Sequence, residues 1–269
     1  MDTGIKSMGN AIKSCFTFRL GTTSYIIPDD IEPNVRYLAP LVDDIEVVLF
    51  ESEDYSNIPK GDLVSRLADM AAEYNLTYTI HLPLDTPLGH HDERLRRTSV
   101  DRCRRIIECM SPVNPFAYIL HLQGDIVGNP PSQDMERWLS QQRRSVEELL
   151  LTLHPEELCV ETLSYPYHLI EDVVDDYSLS ICLDIGHILL YGYSLEAYLD
   201  NYLHRTRVVH LHGIREGKDH TDIAFLKPDI INLLIDRLNR DVRPRVMTLE
   251  IFSERELFKS LDIMRRYIK

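Results

Sequence analysis

The strongest constraint in this sequence of 269 residues is an alternation that runs eight times without a break. Short runs rich in Val, Ile, Leu, Thr or Tyr occupy residues 18–27, 44–52, 77–84, 117–124, 158–163, 179–187, 207–213 and 245–252, and each reads as a β-strand. Between them lie stretches with apolar residues three and four apart, the spacing of one helix face. Residues 61–74 place Leu63, Leu67, Met70 and Ala71 on such a face, and 93–110, 132–153 and 228–239 repeat the pattern. Shorter helices are expected over 31–41, 167–176, 195–202 and 255–267. Ser253 with Glu256 has capping-box spacing, Ser194 precedes the helix expected from 195, and Pro228 suits a first helical turn.

Strand–helix alternation implies a parallel sheet, and eight units permit closure, so the expected fold is a (β/α)8 TIM barrel. No Gly-rich phosphate loop follows the first strand, which argues against a doubly wound open sheet. No linker, fixed-period repeat or low-complexity segment divides the chain. The expected organisation is a flexible lead over residues 1–17 followed by one barrel domain over 18–269.

Composition excludes some functions. The chain carries 29 basic and 43 acidic residues, a formal net charge of −14, which opposes a nucleic-acid partner because phosphate neutralisation needs a basic footprint. An anionic small molecule stays compatible where bound metal ions supply local positive charge. Lys6 and Lys13 sit in a start without a long apolar stretch, so neither a signal peptide nor a membrane span is expected. The five cysteines show no metal-knuckle or redox spacing. Cys159 and Cys182 read as buried thiols, and a reducing, cytoplasmic compartment follows as the expectation.

The informative feature is where ionisable residues interrupt the strands. Strand two runs into Glu51, strand three into His81 and strand four into His121 and Gln123. Strand five carries Glu161, strand six Asp184 and His187, strand seven His210 and His212, and strand eight Glu250. Side chains two apart on a strand share a face, so His210 and His212 point the same way. In a barrel, inward residues at the carboxyl ends face the active-site mouth. One such residue has an ordinary structural explanation; seven strands in succession do not, because uncompensated buried charges cost several kcal/mol each. Divalent metal is the common partner, and mixed imidazole and carboxylate ligation without thiolate suits zinc, manganese, iron or cobalt.

These residues resemble the xylose-isomerase-like barrel superfamily, which includes endonuclease IV. By that resemblance His81 and His121 share one metal with Glu161. Glu161 bridges to a second metal bound by Asp184, His210 and Glu250, and His187 with His220 holds a third. One departure stands out: the endonuclease pattern has Asp two residues before the loop histidine, where this chain has Lys218, leaving Asp219 or water to complete the third site.

A longer resemblance lies in the first third, in LGTTSYIIPDDI from Leu20 to Ile31, Pro33-Asn34-Val35-Arg36, LAPLVDDIE from Leu38 to Glu46, Val48-Leu49-Phe50-Glu51 and His81-Leu82-Pro83. It is similar to the cobamide-remodelling phosphodiesterase family CbiR over nearly all of the chain beyond residue 17. The resemblance implies hydrolysis of the nucleotide-loop phosphodiester of cobamides, giving cobinamide phosphate and the lower-ligand riboside. It also implies two or three divalent metal ions, a small-molecule corrinoid substrate, and Glu161 and Glu250 as catalytic carboxylates. Tyr25, Glu51, Gln123, His212, Arg215 and Lys218 are the candidate substrate contacts. His90 and His91 fall in the loop after strand three, where a plain polar loop competes with a role at the site. His154, His168 and His204 read as structural. Two other readings stand beside this one: a sugar or sugar-phosphate isomerase or epimerase using one metal with Glu161 and Glu250 as acid and base, and a non-catalytic corrinoid- or metal-binding barrel. A DNA endonuclease is opposed by the net charge.

Overall fold

The computed structural model describes residues 12–52, 54–241 and 243–268. Its strands and helices, in chain order, are β1 (Arg19–Thr23), α1 (Ile31–Leu38), β2 (Asp44–Val48), α2 (Leu63–Tyr74), β3 (Thr77–His81), α3 (Glu93–Met110), β4 (Ala117–Leu120), α4 (Met135–Leu149) and β5 (Leu158–Glu161). They continue with α5 (Glu171–Asp176), β6 (Ser180–Asp184), α6 (Ile185–Leu190), α7 (Leu195–Tyr202), β7 (Thr206–Leu211), β8 (Gly213–Arg215), β9 (Lys218–Thr221), α8 (Pro228–Arg240), β10 (Val246–Leu249) and α9 (Glu254–Met264). Eight strands close into a barrel in the order β1-β10-β7-β6-β5-β4-β3-β2, every neighbour parallel. The expected (β/α)8 TIM barrel is the fold found.

Strand alternation separates two apolar regions. Leu20, Ile45, Val47, Tyr78, Ile80, Tyr118, Leu120, Val160, Ile181, Leu183, Val209 and Met247 belong to the large core that packs the sheet against its helices. Residues of opposite parity, Ala117, Ile119, Cys159, Cys182, Val208 and Val246, form a separate small cluster filling the barrel interior. Cys159 and Cys182 are fully buried there. Further along these strands, toward their carboxyl ends, the interior turns from apolar to ionisable, so this plug is the floor of the site.

Helix ends follow their local chemistry. Ser194 accepts from the Ala197 N–H and Ser253 from the Glu256 N–H, each satisfying an otherwise orphaned amide. Pro228 opens α8. Four expectations are corrected. β2 ends at Val48, so Glu51 is not on a strand; it lies in the following loop, bridged to Ser56. β6 ends at Asp184, and His187 sits in the first turn of α6 because the Asp184 carboxylate caps that helix, accepting from the His187 N–H at 2.7 Å. The loop after β7 is a hairpin, β8 paired antiparallel with β9, turned by Glu216 and Gly217 at positive φ (55° and 76°), the conformation of a tight two-residue hairpin turn. The expected flexible lead lies outside the described residues up to position 11, but from Ile12 it is docked. Ile12 is fully buried, Lys13 donates to the carbonyls of Ala39 and Val42, and the Ser14 N–H donates to Asp43.

Candidate metal centre

Each barrel strand from β3 to β7, together with β10, delivers a buried ligand-type side chain to the centre at or just past its end: His81, His121, Glu161, Asp184, His210 and Glu250, with His212 a second from β7. Glu161 is the hub. Its Oε2 lies 3.3 Å from His81 Nε2 and 3.0 Å from His121 Nε2, while Oε1 lies 3.4 Å from His187 Nδ1. On the other side of Glu161, His210 Nδ1 stands 3.2 Å from Glu250 Oε2, 3.7 Å from Glu161 Oε2 and 3.9 Å from Asp184 Oδ2. Two imidazole–carboxylate groups of donor atoms therefore share Glu161: His81, His121 and Glu161, and Glu161, Asp184, His210 and Glu250, the atoms of each lying within 4.8 Å of one another; a further group joins Glu161 and His210 to the buried Cys182.

The chemistry of these donors fits a cation. His81 Nδ1 donates to the Leu82 carbonyl, 2.8 Å away, so in the neutral ring the lone pair is on Nε2 and faces the Glu161 carboxylate. His210 Nε2 is held by Glu46 Oε2 at 2.9 Å, which turns its Nδ1 lone pair toward three carboxylates. His210 Nδ1 and Glu250 Oε2 have no hydrogen-bond partner although both are buried. Lone pairs facing carboxylates in a buried cavity need positive charge between them, and divalent ions with imidazole and carboxylate ligands supply it.

Electrostatics carry the same signature. Burial acts to raise the Glu161 carboxyl, yet His121 and His210 hold it well below the usual range, and His210 and His220 do the same to Glu250. Burial acts to lower His187, but Asp184 and Glu161 outweigh it and lift the ring to about 10. His220 is lifted to about 9 against its burial, chiefly by Glu250 and then Asp219. Without metal, protons fill the role of the cation.

A third group forms at the rim from His187, His212 and His220. Asp219, not Lys218, faces this rim, with Oδ1 3.0 Å from His220 Nδ1 and Oδ2 3.9 Å from His187 Nε2. The β8–β9 hairpin sets this, presenting His220 inward and leaving Lys218 exposed.

The expected substrate contacts divide. Gln123 lines the cleft above the centre, its Nε2 3.4 Å from His121 Nδ1. The other five do not line it. Glu51 pairs with Arg105 at 3.1 Å. Tyr25 accepts from Asn57 and lies edge-on to Phe50. Arg215 and Lys218 are exposed on the hairpin, Arg215 lying over the Phe225 ring. His212 is fully buried against Asp184. His91 pairs with Asp125 beside a separate hollow near the start of α4.

Two features were missed in the sequence. Glu46, buried inside the barrel, holds His210; the alternation of Asp44, Glu46 and Val48 on one face of β2 was the available signal. The second is the cleft's rim. The cleft encloses about 320 Å³ and is lined by His81, His121, Glu161, His187, His220 and Glu250 on its polar side, with no Lys or Arg. Leu84, Val127, Tyr191 and Phe252 stand exposed around it, four of the nine large hydrophobics exposed among the described residues. Exposed apolar side chains gathered at one opening mark a binding surface.

A closed barrel with ligand-type side chains gathered at its carboxyl mouth defines a (β/α)8 protein whose buried His, Asp and Glu groups could hold metal. The chain belongs to the xylose isomerase-like TIM barrel family, whose model matches residues 42–267. Among solved structures it is similar to a D-tagatose 3-epimerase-like protein (20% identity, 93% of this chain and 96% of that one covered, TM-score 0.77). It is also similar to endonuclease IV from Thermus thermophilus (17%, 93% and 98%, 0.69) and to 3-keto-D-glucoside 4-epimerase from E. coli (15%, 93% and 98%, 0.70). At these identities the likeness is one of fold. No curated protein sequence matches the chain. No helix among the described residues is long and apolar enough to cross a membrane.

Proposed function

We propose that the chain is a metal-dependent phosphodiesterase acting on cobamides, cleaving the nucleotide loop to cobinamide phosphate and the lower-ligand riboside. The observation that carries this reading is the sharing of Glu161 between two ligand groups. His81 and His121 are superfluous to a one-metal centre, whereas ions held side by side suit in-line displacement at phosphorus. When bound, the ions supply the charge that activates water and stabilises the departing oxygen. Water's oxygen bonds to phosphorus, the bond from phosphorus to the riboside oxygen breaks, and the riboside leaves protonated. We assign to Glu250, which borders the cleft, the role of taking the water's proton and passing it to the departing riboside oxygen; Glu161 fixes the spacing of the two groups.

The cleft supports a corrinoid over DNA. It has no Lys or Arg in its lining, the chain's net charge is −14, and its exposed rim is apolar. A corrin macrocycle is too large to enter, so the nucleotide loop occupies the cleft while the macrocycle lies across Val127, Phe252, Leu84 and Tyr191.

The deciding experiment incubates metal-loaded protein with adenosylcobalamin and other cobamides and separates the products by chromatography. Cobinamide phosphate and the riboside are expected; their absence across several cobamides sinks the reading. A second reading is a one-metal sugar or sugar-phosphate epimerase, favoured by the self-sufficient group of Glu161, Asp184, His210 and Glu250. Metal counting separates the two: two or three ions per chain for the phosphodiesterase, one for the epimerase.

A further inference from the structure

The ring of His212 has a fixed tautomer. The backbone N–H of His220 donates to its Nδ1 at 3.0 Å. An amide can only donate, so Nδ1 carries the lone pair and the ring proton is on Nε2. The Gly213 carbonyl also lies near Nδ1, at 3.3 Å, a longer contact that the amide pre-empts. Nε2 faces Asp184, 3.1 Å from Oδ1 and 3.3 Å from Oδ2.

The ring is also fixed in place. It stacks on His220 at 4.4 Å between centroids and lies against the bare Cα of Gly186, where a Cβ would come within 2.0 Å of it. Asp184 Oδ1 thus meets two N–H groups, the His187 amide at 2.7 Å and His212 Nε2. Its Oδ2 lies 3.1 Å from His187 Nδ1 and 3.9 Å from His210 Nδ1, on the side of the carboxylate that faces the centre.

We propose that His212 is a positioning residue for the Asp184, Glu161, His210 and Glu250 centre: it donates Nε2–H to Asp184 and presents the carboxylate to the cation, neither ligating metal at the rim nor touching substrate. Hydrogen-bond donors behind a metal ligand are worth roughly 10–100-fold in metal affinity. The inference rests on the metal reading of this centre and not on the reaction assigned to it.

The test measures Co(II) affinity by chelator competition, with the Co(II) absorption spectrum as a second readout, in a His187→Ala/His220→Ala background that removes the rim group. There His212→Ala is expected to weaken Co(II) binding by about 10- to 100-fold and shift the spectrum, while His212→Gln, which keeps an N–H donor, recovers most of the affinity. If His212→Ala does not fold, His212→Asn, too short to reach Asp184, replaces it. Unchanged Co(II) affinity in that background would overturn the proposal. Gln and Ala behaving alike would overturn it as well. A parent chain that binds no Co(II) overturns it together with the metal reading, whereas tight Co(II) binding without cobamide cleavage overturns only the assigned reaction.

Discussion

Glu46 Oε2 lies 2.9 Å from His210 Nε2, deep inside the barrel, with both side chains fully buried and Thr248 donating to the same oxygen at 3.3 Å. A carboxylate behind a histidine fixes its tautomer and raises its basicity as a ligand.

Glu46→Gln keeps the shape but can leave the wrong histidine nitrogen protonated. Metal affinity at the Asp184 group is expected to fall roughly 10- to 100-fold, with circular dichroism unchanged. Chelator titration checks it; unaltered affinity would remove Glu46 from the centre.

Glu161→Gln strikes both groups at once, because the two share this side chain. Turnover is expected to be lost and metal content to drop, while the fold persists. Product analysis and elemental metal measurement on the same preparation test this, and full activity in the variant would exclude Glu161 from the mechanism.

The histidine–carboxylate contacts make the metal-free protein sensitive to alkali. His187 rises from 6.5 to about 10 and His220 to about 9 on folding. Groups raised in this direction stabilise fully below the unfolded value and lose that contribution as pH climbs through the folded one. The metal-free Tm is therefore expected to decline between about pH 6.5 and about pH 10. Metal competes for the same nitrogens, so loaded protein declines less, and loading at neutral pH releases protons. A metal-free Tm that is flat or rising across this window contradicts the prediction.

Val127 is 86% exposed and Phe252 44%, so neither contributes much to folding. Val127→Ser with Phe252→Ala is expected to raise KM for cobamides several-fold, shift Tm little and leave metal content alone. A drop in kcat with KM unchanged would place these residues elsewhere in the reaction. Steady-state kinetics on two cobamides decides it.

Much of the site was legible because alternation fixes the side of a strand on which each residue falls. His81, His121, Glu161, Asp184, His210 and Glu250 were all found from their positions in the strand-end runs, and they converge. Alternation does not fix depth or where a strand stops. Glu51 was read as a strand end, yet β2 stops at Val48 and Glu51 belongs to the loop; Glu46, two positions before Val48, occupies the interior instead. His212 shares the face of His210 but is turned to Asp184 by the His220 amide and the space left at Gly186, neither of which local sequence reports. Arg215 and Lys218 read as loop cations in the sequence, and the β8–β9 hairpin holds both exposed outside the cleft lining.

By itself the sequence determined the eight-fold strand–helix alternation, hence the barrel, and the inward parity of the ionisable strand-end residues. Both follow from interactions between near neighbours along the chain. Only the tertiary structure decided which of those residues meet, that Glu161 joins two groups, that Glu46 stands behind His210, and that an apolar rim surrounds the opening. Those relations depend on the registers between strands distant in sequence and on the paths of the loops after them, set when the barrel closes.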